Sequence, residues 1–251
     1  MRPIATWPIR LLRIAALISC AAPLARAATI GVPENLPPWG LTASLPVGQR
    51  GVYVDVADAV VSRSHQSLEV KFVPYGRMLP LIKDGELDYA FGVVSPATSA
   101  AAPFLVAIGK SPMVAVARKG LSLKTLADLR GFTEVGYLRG GSCGADVDGD
   151  AAIKRTGQDS YDSAIRKLAS GRLDAWCSLK PGFVYALGQI KMEADMGEQL
   201  DYGEYKIGMQ ATAAKAESPE AHEVAGIVDA LIADGTMGKI FTRYVGAPYT
   251  P

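Results

Sequence analysis

One segment of the chain combines residue types that bind anions or act as nucleophiles. Residues 139–144 read Arg-Gly-Gly-Ser-Cys-Gly and follow a predicted strand. Glycine lets backbone N–H groups approach a ligand closely, and a helix that starts after such a turn favours an anion such as a carboxylate. The segment is therefore predicted to bind a carboxylate through Arg139, Gly141 and Ser142; a plain turn is the alternative.

The same segment also fits Gly-x-Ser-x-Gly, the nucleophile elbow of a hydrolase. That hydrolase would need His222 as its base, but His222 falls near the start of a predicted amphipathic helix, and no His-Gly-Gly oxyanion segment is present. The acidic run 146–150 lacks the last ligand of a calcium loop, because Gly157 stands where a glutamate is needed. We therefore expect a non-enzyme with no catalytic residue, no metal and no cofactor.

The composition excludes several classes of protein. The chain has 251 residues, 26 Lys+Arg against 25 Asp+Glu, and 49% apolar residues. Because the net charge is near zero, the chain lacks the excess of basic residues that is typical of nucleic-acid-binding proteins. The apolar fraction is that of a folded protein and excludes a disordered chain. Two histidines and three cysteines do not favour a His/Cys zinc cluster.

The N-terminus reads as a secretory signal peptide over residues 1–27. Residues 1–13 carry three arginines and no acid, residues 14–22 are apolar, and Ala25-Arg26-Ala27 fits the small-x-small cleavage rule. The apolar run is too short to span a bilayer. The segment ending at Cys20 also resembles a lipoprotein box, which would leave a lipid anchor. Either cut predicts an exported protein.

Export also bears on the two cysteines that remain in the mature chain. Cys143 and Cys177 form an even pair in an oxidising compartment, which favours a disulfide between them. Two small buried thiols are the alternative.

The mature chain alternates predicted strands and helices, which is typical of an α/β protein. Residues 82–90 and 168–176 read alike: each is a helix end, a glycine cap, Leu-Asp and an apolar strand. The repeat, at Gly85 and Gly171, indicates two similar lobes. Near the C-terminus, Ser218 caps a helix with an apolar stripe, and Thr236 is predicted to cap another.

The order of these segments resembles the bacterial extracellular solute-binding proteins of family 3, over nearly all of the mature chain. Six stretches carry the resemblance, and their order and spacing are more specific than any one of them. They are residues 30–39 (Ile-Gly-Val-Pro-Glu and Pro-Pro-Trp), 51–55, 79–88, 122–131, 135–142 and 234–240.

The resemblance implies a two-lobed type II periplasmic-binding-protein fold of the α/β class, with each lobe a mixed sheet flanked by helices. Lobe 1 would comprise residues 28–115 plus 209–251, and lobe 2 residues 116–208. Two crossing strands, near Met113–Arg118 and Lys206–Ala211, would join them. The implied function is a monomeric periplasmic receptor. It would close on a small polar, carboxylated solute, an amino acid or related organic acid, and deliver it to the permease of an ABC transporter.

The resemblance also marks ligand-binding positions. Gly141 and Ser142 match the family's carboxylate-binding loop, Ser95 matches a hydroxyl that contacts ligand, and Trp39 matches an aromatic wall. Arg77 stands at a predicted helix start, where a cation opposes the helix dipole, so an anionic ligand or simple solvation must favour it.

The chain departs from the family at the charged clamp of its amino-acid binders. The clamp arginine falls at Ala100, and the clamp acid falls near Leu179, which precedes Lys180. The remaining cations leave a positively charged site, which favours a carboxylated solute. The predicted ligand-binding residues are Glu34, Trp39, Arg77, Ser95, Arg139, Gly141, Ser142 and Lys180.

Two other functions stay open. An orphan periplasmic sensor or partner-binding module would use the same lobes without transport. A cyclohexadienyl-dehydratase-like enzyme would use Glu34 as an acid and Arg77 as a carboxylate anchor, by analogy of fold.

Overall fold

The sheet is built around two long strands, β4 (Phe104–Arg118) and β8 (Met196–Ala211). The other strands are β1 (Ala28–Glu34), β2 (Leu68–Pro74), β3 (Tyr89–Val93), β5 (Val135–Leu138), β6 (Arg155–Gln158) and β7 (Ala175–Leu179). This computed structural model describes residues 26–246 and 249–251. Apart from its last two residues, the predicted signal peptide lies outside the described residues, as does Cys20.

Eight α-helices are described in these two ranges. They are α1 (Val52–Arg63), α2 (Tyr75–Lys83), α3 (Pro96–Ala101), α4 (Ala145–Asp148), α5 (Tyr161–Ala169), α6 (Lys180–Ile190), α7 (Pro219–Ala233) and α8 (Thr236–Val245). Short 3-10 helices cover Leu126–Gly131 and Glu193–Asp195. Ser218 caps α7 as predicted. The residue that caps α8 is Gly235 rather than Thr236, because glycine adopts the left-handed conformation needed there.

The two long strands pair with each other but have different outer neighbours. β3 pairs with residues 207–211 of β8, and β7 pairs with residues 113–117 of β4. The strand order is β2-β1-β3-β8-β4-β7-β5-β6. We call β1, β2 and β3 with their helices the first half, and β5, β6 and β7 with theirs the second half. The predicted fold, two α/β units joined by two crossing strands, is confirmed; the residue boundaries of the lobes stay a prediction.

The Gly-x-Leu-Asp repeat has the same structural role in both halves: it ends a helix and positions a neighbouring strand. Gly85 and Gly171 end α2 and α5 with φ of 76° and 73°. The aspartate that follows then fixes the start of the neighbouring strand: Asp88 accepts a hydrogen bond from the Thr29 N–H at 2.8 Å, and Asp174 accepts one from the Thr133 N–H at 2.7 Å. The two units are thus alike in hydrogen bonding as well as in sequence.

A disulfide joins Cys143 to Cys177, as the sequence predicted. Both residues are fully buried, and their Cα atoms are 5.4 Å apart. The bond ties the loop after β5 to the middle of β7, so two segments of the second half that lie beside the cleft are held together.

The helices offer no membrane span: none of those in the described ranges is both long enough and apolar enough to cross a bilayer.

The role of Asp174 is testable by pH. Burial raises the pKa of Asp174, but hydrogen bonds from Arg118 and from the Thr133 N–H outweigh burial and hold that pKa below its ordinary value. The ionised carboxylate therefore stabilises the fold above a pH of about 4, and this contribution disappears as the pH falls through the lowered pKa.

We expect Asp174→Asn to lower the free energy of unfolding by about 1–3 kcal/mol at neutral pH, and by much less near pH 3. Urea denaturation followed by circular dichroism at both pH values measures the difference. The control is Asp229→Asn, which alters an exposed carboxylate of α7. An Asp174→Asn deficit of equal size at both pH values would contradict the assigned role.

Candidate functional site

Two neighbouring cavities lie between residues of the first and second halves. The outer one, which we call the mouth, has a volume of about 460 Å³ and is lined by charged side chains. The inner one, which we call the aromatic chamber, has a volume of about 20 Å³, which is room for one water molecule. Leu36 and Tyr75 line both cavities, so the two are contiguous.

Four aromatic side chains line the chamber: Trp39, Tyr53, Tyr75 and Tyr161. The rings of Trp39 and Tyr53 stack with their centroids 5.1 Å apart, and Tyr53 stacks in turn on Phe91. No charged side chain is among the residues that line the chamber. Its walls are therefore suited to an apolar or aromatic group rather than to a charged one.

The polar atoms of the chamber are neutral hydrogen-bonding groups. Burial raises the pKa of Tyr75 to about 12, and burial also raises the pKa of Tyr53 and of Tyr161. All three hydroxyls therefore keep their protons at physiological pH. The indole Nε1 of Trp39 is buried beside the Tyr161 hydroxyl, and its interaction with that hydroxyl partly offsets the burial that raises the pKa of Tyr161; in the described residues it forms no hydrogen bond of ordinary geometry.

The mouth brings together charged residues from both halves. Glu34 ends β1 and Arg77 lies in the first turn of α2, while Arg139 follows β5 and Asp159 follows β6. Arg139 is already paired, because its Nε lies 2.8 Å from Asp159 and its Nη2 donates to the Gly157 carbonyl at 2.9 Å. Neither Glu34 nor Arg77 forms an ion pair within residues 26–246 and 249–251. The mouth thus offers one unpaired cation and one unpaired carboxylate.

In the glycine loop, residues 139–144, two of the hydrogen-bond donors that were predicted to bind a solute carboxylate are already bound to the side-chain carboxylate of Asp148. Asp148 accepts hydrogen bonds from the Ser142 hydroxyl at 2.5 Å and from the Cys143 N–H at 3.1 Å, and it pairs with Arg155. The Gly144 N–H donates to Ser142 Oγ at 2.9 Å. Gly141 and Ser142 do line the chamber, but the Asp148 carboxylate occupies donors that a solute would need.

Two predicted residues line neither cavity. Ser95 is buried, and its hydroxyl caps α3 by accepting a hydrogen bond from the Thr98 N–H at 3.2 Å. Lys180 begins α6 and is ion-paired with Asp201. The other six predicted residues are divided between the cavities: Glu34, Arg77 and Arg139 in the mouth, and Trp39, Gly141 and Ser142 in the chamber.

Several residues of the site were not predicted as ligand contacts, among them Tyr75, Tyr161 and Ser178. Tyr75 and Tyr161 each open a helix, and Ser178 lies near the end of β7. An aromatic residue in the first turn of an amphipathic helix has the same sequence signature as a core residue, so the pattern alone does not reveal it. Leu179, where the family's clamp acid was expected, lines the chamber and makes its wall apolar.

Comparison with known proteins identifies the fold and the family. The model of the bacterial extracellular solute-binding proteins, family 3, matches residues 28–247. Among curated proteins no sequence matches the chain.

Solved structures share the fold at low sequence identity. An ancestral arginine-binding protein bound to arginine is 21% identical with a TM-score of 0.69, and the match covers 87% of this chain and 97% of that one. An arginine-, lysine-, histidine-binding protein of Geobacillus stearothermophilus is 16% identical with a TM-score of 0.72, over 89% and 96%. A histidine kinase sensor domain with similarity to periplasmic binding proteins is 16% identical with a TM-score of 0.73, over 90% and 98%.

The backbones of the two halves meet at two glycines, and this contact is testable. A Cβ atom on Gly140 would lie 3.0 Å from the Gly76 Cα and 3.1 Å from the Tyr75 carbonyl oxygen, and the φ of Gly140 is +80°. Gly120 has a similar φ of +88° but open space around it, so it carries the same backbone strain without the contact.

We expect Gly140→Ala to lower the free energy of unfolding by about 1 kcal/mol more than Gly120→Ala, because only the first also forces the halves apart. Thermal and urea denaturation of the two variants measure this difference. Equal losses in the two variants would show that the close approach at Gly140 does not occur in solution.

Proposed function

Because the chain belongs to the bacterial extracellular solute-binding proteins, family 3, we propose that it is a periplasmic receptor for a small carboxylated solute. The unpaired Arg77 in the mouth is the observation that carries this proposal. A guanidinium binds a carboxylate through two parallel hydrogen bonds, and such charge-assisted pairs are among the strongest in proteins. In this role Arg77 takes the place of the clamp arginine that the chain lacks at Ala100.

Glu34 extends the same reasoning to amino acids. It lines the same cavity as Arg77, and an ammonium group of the solute would find its counter-ion there. The two residues form a charged clamp at the mouth, in place of the family's clamp positions at Ala100 and Leu179. An amino acid would use both residues, whereas a simple organic acid would use Arg77 alone.

The apolar part of the solute enters the aromatic chamber. In its present form the chamber holds only about 20 Å³, so the Tyr75 side chain at its entrance must move to admit a larger group. Stacking on the Trp39 ring and a hydrogen bond to its Nε1, which lies beside the Tyr161 hydroxyl, would favour a solute with a planar or apolar body and one polar atom.

Delivery follows from the way in which the halves are joined. Among the strands of the described residues, β4 and β8 are the two that cross between the halves, so a bend in these strands would open and close the mouth as a hinge. We propose that the closed, solute-bound monomer docks on the permease of an ABC transporter in the periplasm. The likeness to a histidine kinase sensor domain favours one second candidate, a periplasmic sensor that uses the same closure as a signal.

The solute class is tested by isothermal titration calorimetry with amino acids, dicarboxylates and aromatic acids. We expect Arg77→Gln to weaken binding of the tightest-binding compound of this panel, which occupies the mouth, by about tenfold or more, because a charge-assisted pair is lost. Glu34→Gln should weaken only ligands that also carry an amine. Arg172→Gln, a change to an exposed arginine elsewhere in the second half, is the matched control.

Binding that is unchanged in Arg77→Gln would contradict the clamp. A folded protein that binds no carboxylated compound in the whole panel would contradict the proposed solute class. Growth of the source bacterium on the best ligand, after deletion of a neighbouring permease gene, distinguishes the two functions. Growth should be lost if the protein is a transport receptor and should continue if it is a sensor.

A further inference from the structure

A third cavity, of about 310 Å³, lies beside the crossing strands, and we call it the hinge-side cavity. Much of its lining is apolar, from Trp39, Pro181, Val184 and Phe241. Val184 is 50% exposed, which is unusual for a large apolar side chain in the described residues. Trp39 and Phe241 are themselves almost fully buried, so the apolar surface that the cavity presents is mainly that of Val184, together with the partly exposed Pro181.

The two halves both contribute to this cavity. α6, which carries Pro181 and Val184, packs on α5 and β7 of the second half. α8, which carries Phe241, packs on α1 and α7, and α1 packs on β1 of the first half. A molecule bound in the cavity would contact both halves and the strands between them.

Lys110 lines one edge of the cavity, and Lys206, which is not itself a lining residue, lies beside it. Lys110 of β4 lies directly opposite Lys206 of β8, on the same face of the antiparallel pair. Both are exposed, and neither forms an ion pair within the described part of the chain. Like charges directly opposite each other destabilise a sheet. The one acid among the lining residues, Glu204, is not within ion-pair distance of either lysine.

We propose that the hinge-side cavity binds a second small molecule, an amphipathic organic anion. Its carboxylate lies between Lys110 and Lys206 and relieves their repulsion, and its hydrocarbon body packs against Val184 and Pro181. Lys180, the other cation of the cavity, is already neutralised by Asp201 and contributes its aliphatic stem. This site goes beyond the proposed receptor site at the mouth, and neither proposal depends on the other.

Hexanoate and benzoate are the probes, titrated by calorimetry, with hexanol and benzyl alcohol as their uncharged counterparts. The double variant Lys110→Gln/Lys206→Gln should weaken binding of both acids by about tenfold or more, because the charged partners of the carboxylate are gone. The control is Lys83→Gln/Lys154→Gln, which removes two exposed lysines elsewhere. Circular dichroism melts confirm that each variant is folded.

Measuring Arg77→Gln in parallel distinguishes binding in the hinge-side cavity from binding at the mouth. Binding that survives in Arg77→Gln and in the control, is lost in Lys110→Gln/Lys206→Gln and is absent for the alcohols supports the site. Any other pattern overturns it: no binding of either acid, equal binding in the double lysine variant, or loss in Arg77→Gln alone. The last result would assign the acids to the mouth and would leave the proposed receptor function intact.

Discussion

The pairing of β4 with β8 is the constraint on which the rest of the structure depends. These strands run through both halves, and every other strand reaches its place by pairing with them directly or through a neighbour. Their continuity sets the end of β1 and the start of α2 against the loops that follow β5 and β6. The mouth exists because that alignment brings Glu34 and Arg77 to face Arg139 and Asp159.

Within the cleft, charge and aromatic surface are kept apart, and this separation decides what the site can bind. Charges at the mouth remain close to solvent, where an unpaired arginine is tolerated, whereas the chamber holds only neutral groups because a buried unpaired charge is costly. The internal carboxylate of Asp148 follows the same rule. It satisfies the donors of the glycine loop near the chamber. Among the described residues that line the mouth and the chamber, the cation without an ion-pair partner is Arg77, at the mouth.

The fold could be predicted because its signals are local. The glycine caps at Gly85 and Gly171 and the aspartates that follow them recur in sequence, and the structure shows that they recur in hydrogen bonding. Glu34 and Arg77 could also be named from the sequence, because Glu34 ends a recognisable strand and Arg77 lies in the first turn of a recognisable helix; their role in binding a solute stays a proposal. The hydrogen bond between Asp148 and Ser142 could not be predicted, because the sequence of the acidic run 146–150 does not show which of its carboxylates contacts the glycine loop. The cap formed by Ser95 was readable, because a hydroxyl three residues later, at Thr98, is typical of a capped helix start.

The most direct test of the central claim is a crystal structure of the protein with its tightest-binding carboxylated solute. The account predicts the solute in the cleft, its carboxylate on the Arg77 guanidinium and its apolar part against Trp39, with Asp148 still bound to Ser142. A solute whose carboxylate sits on the loop at Ser142, with Asp148 displaced, would contradict the assignment of the charged clamp to the mouth.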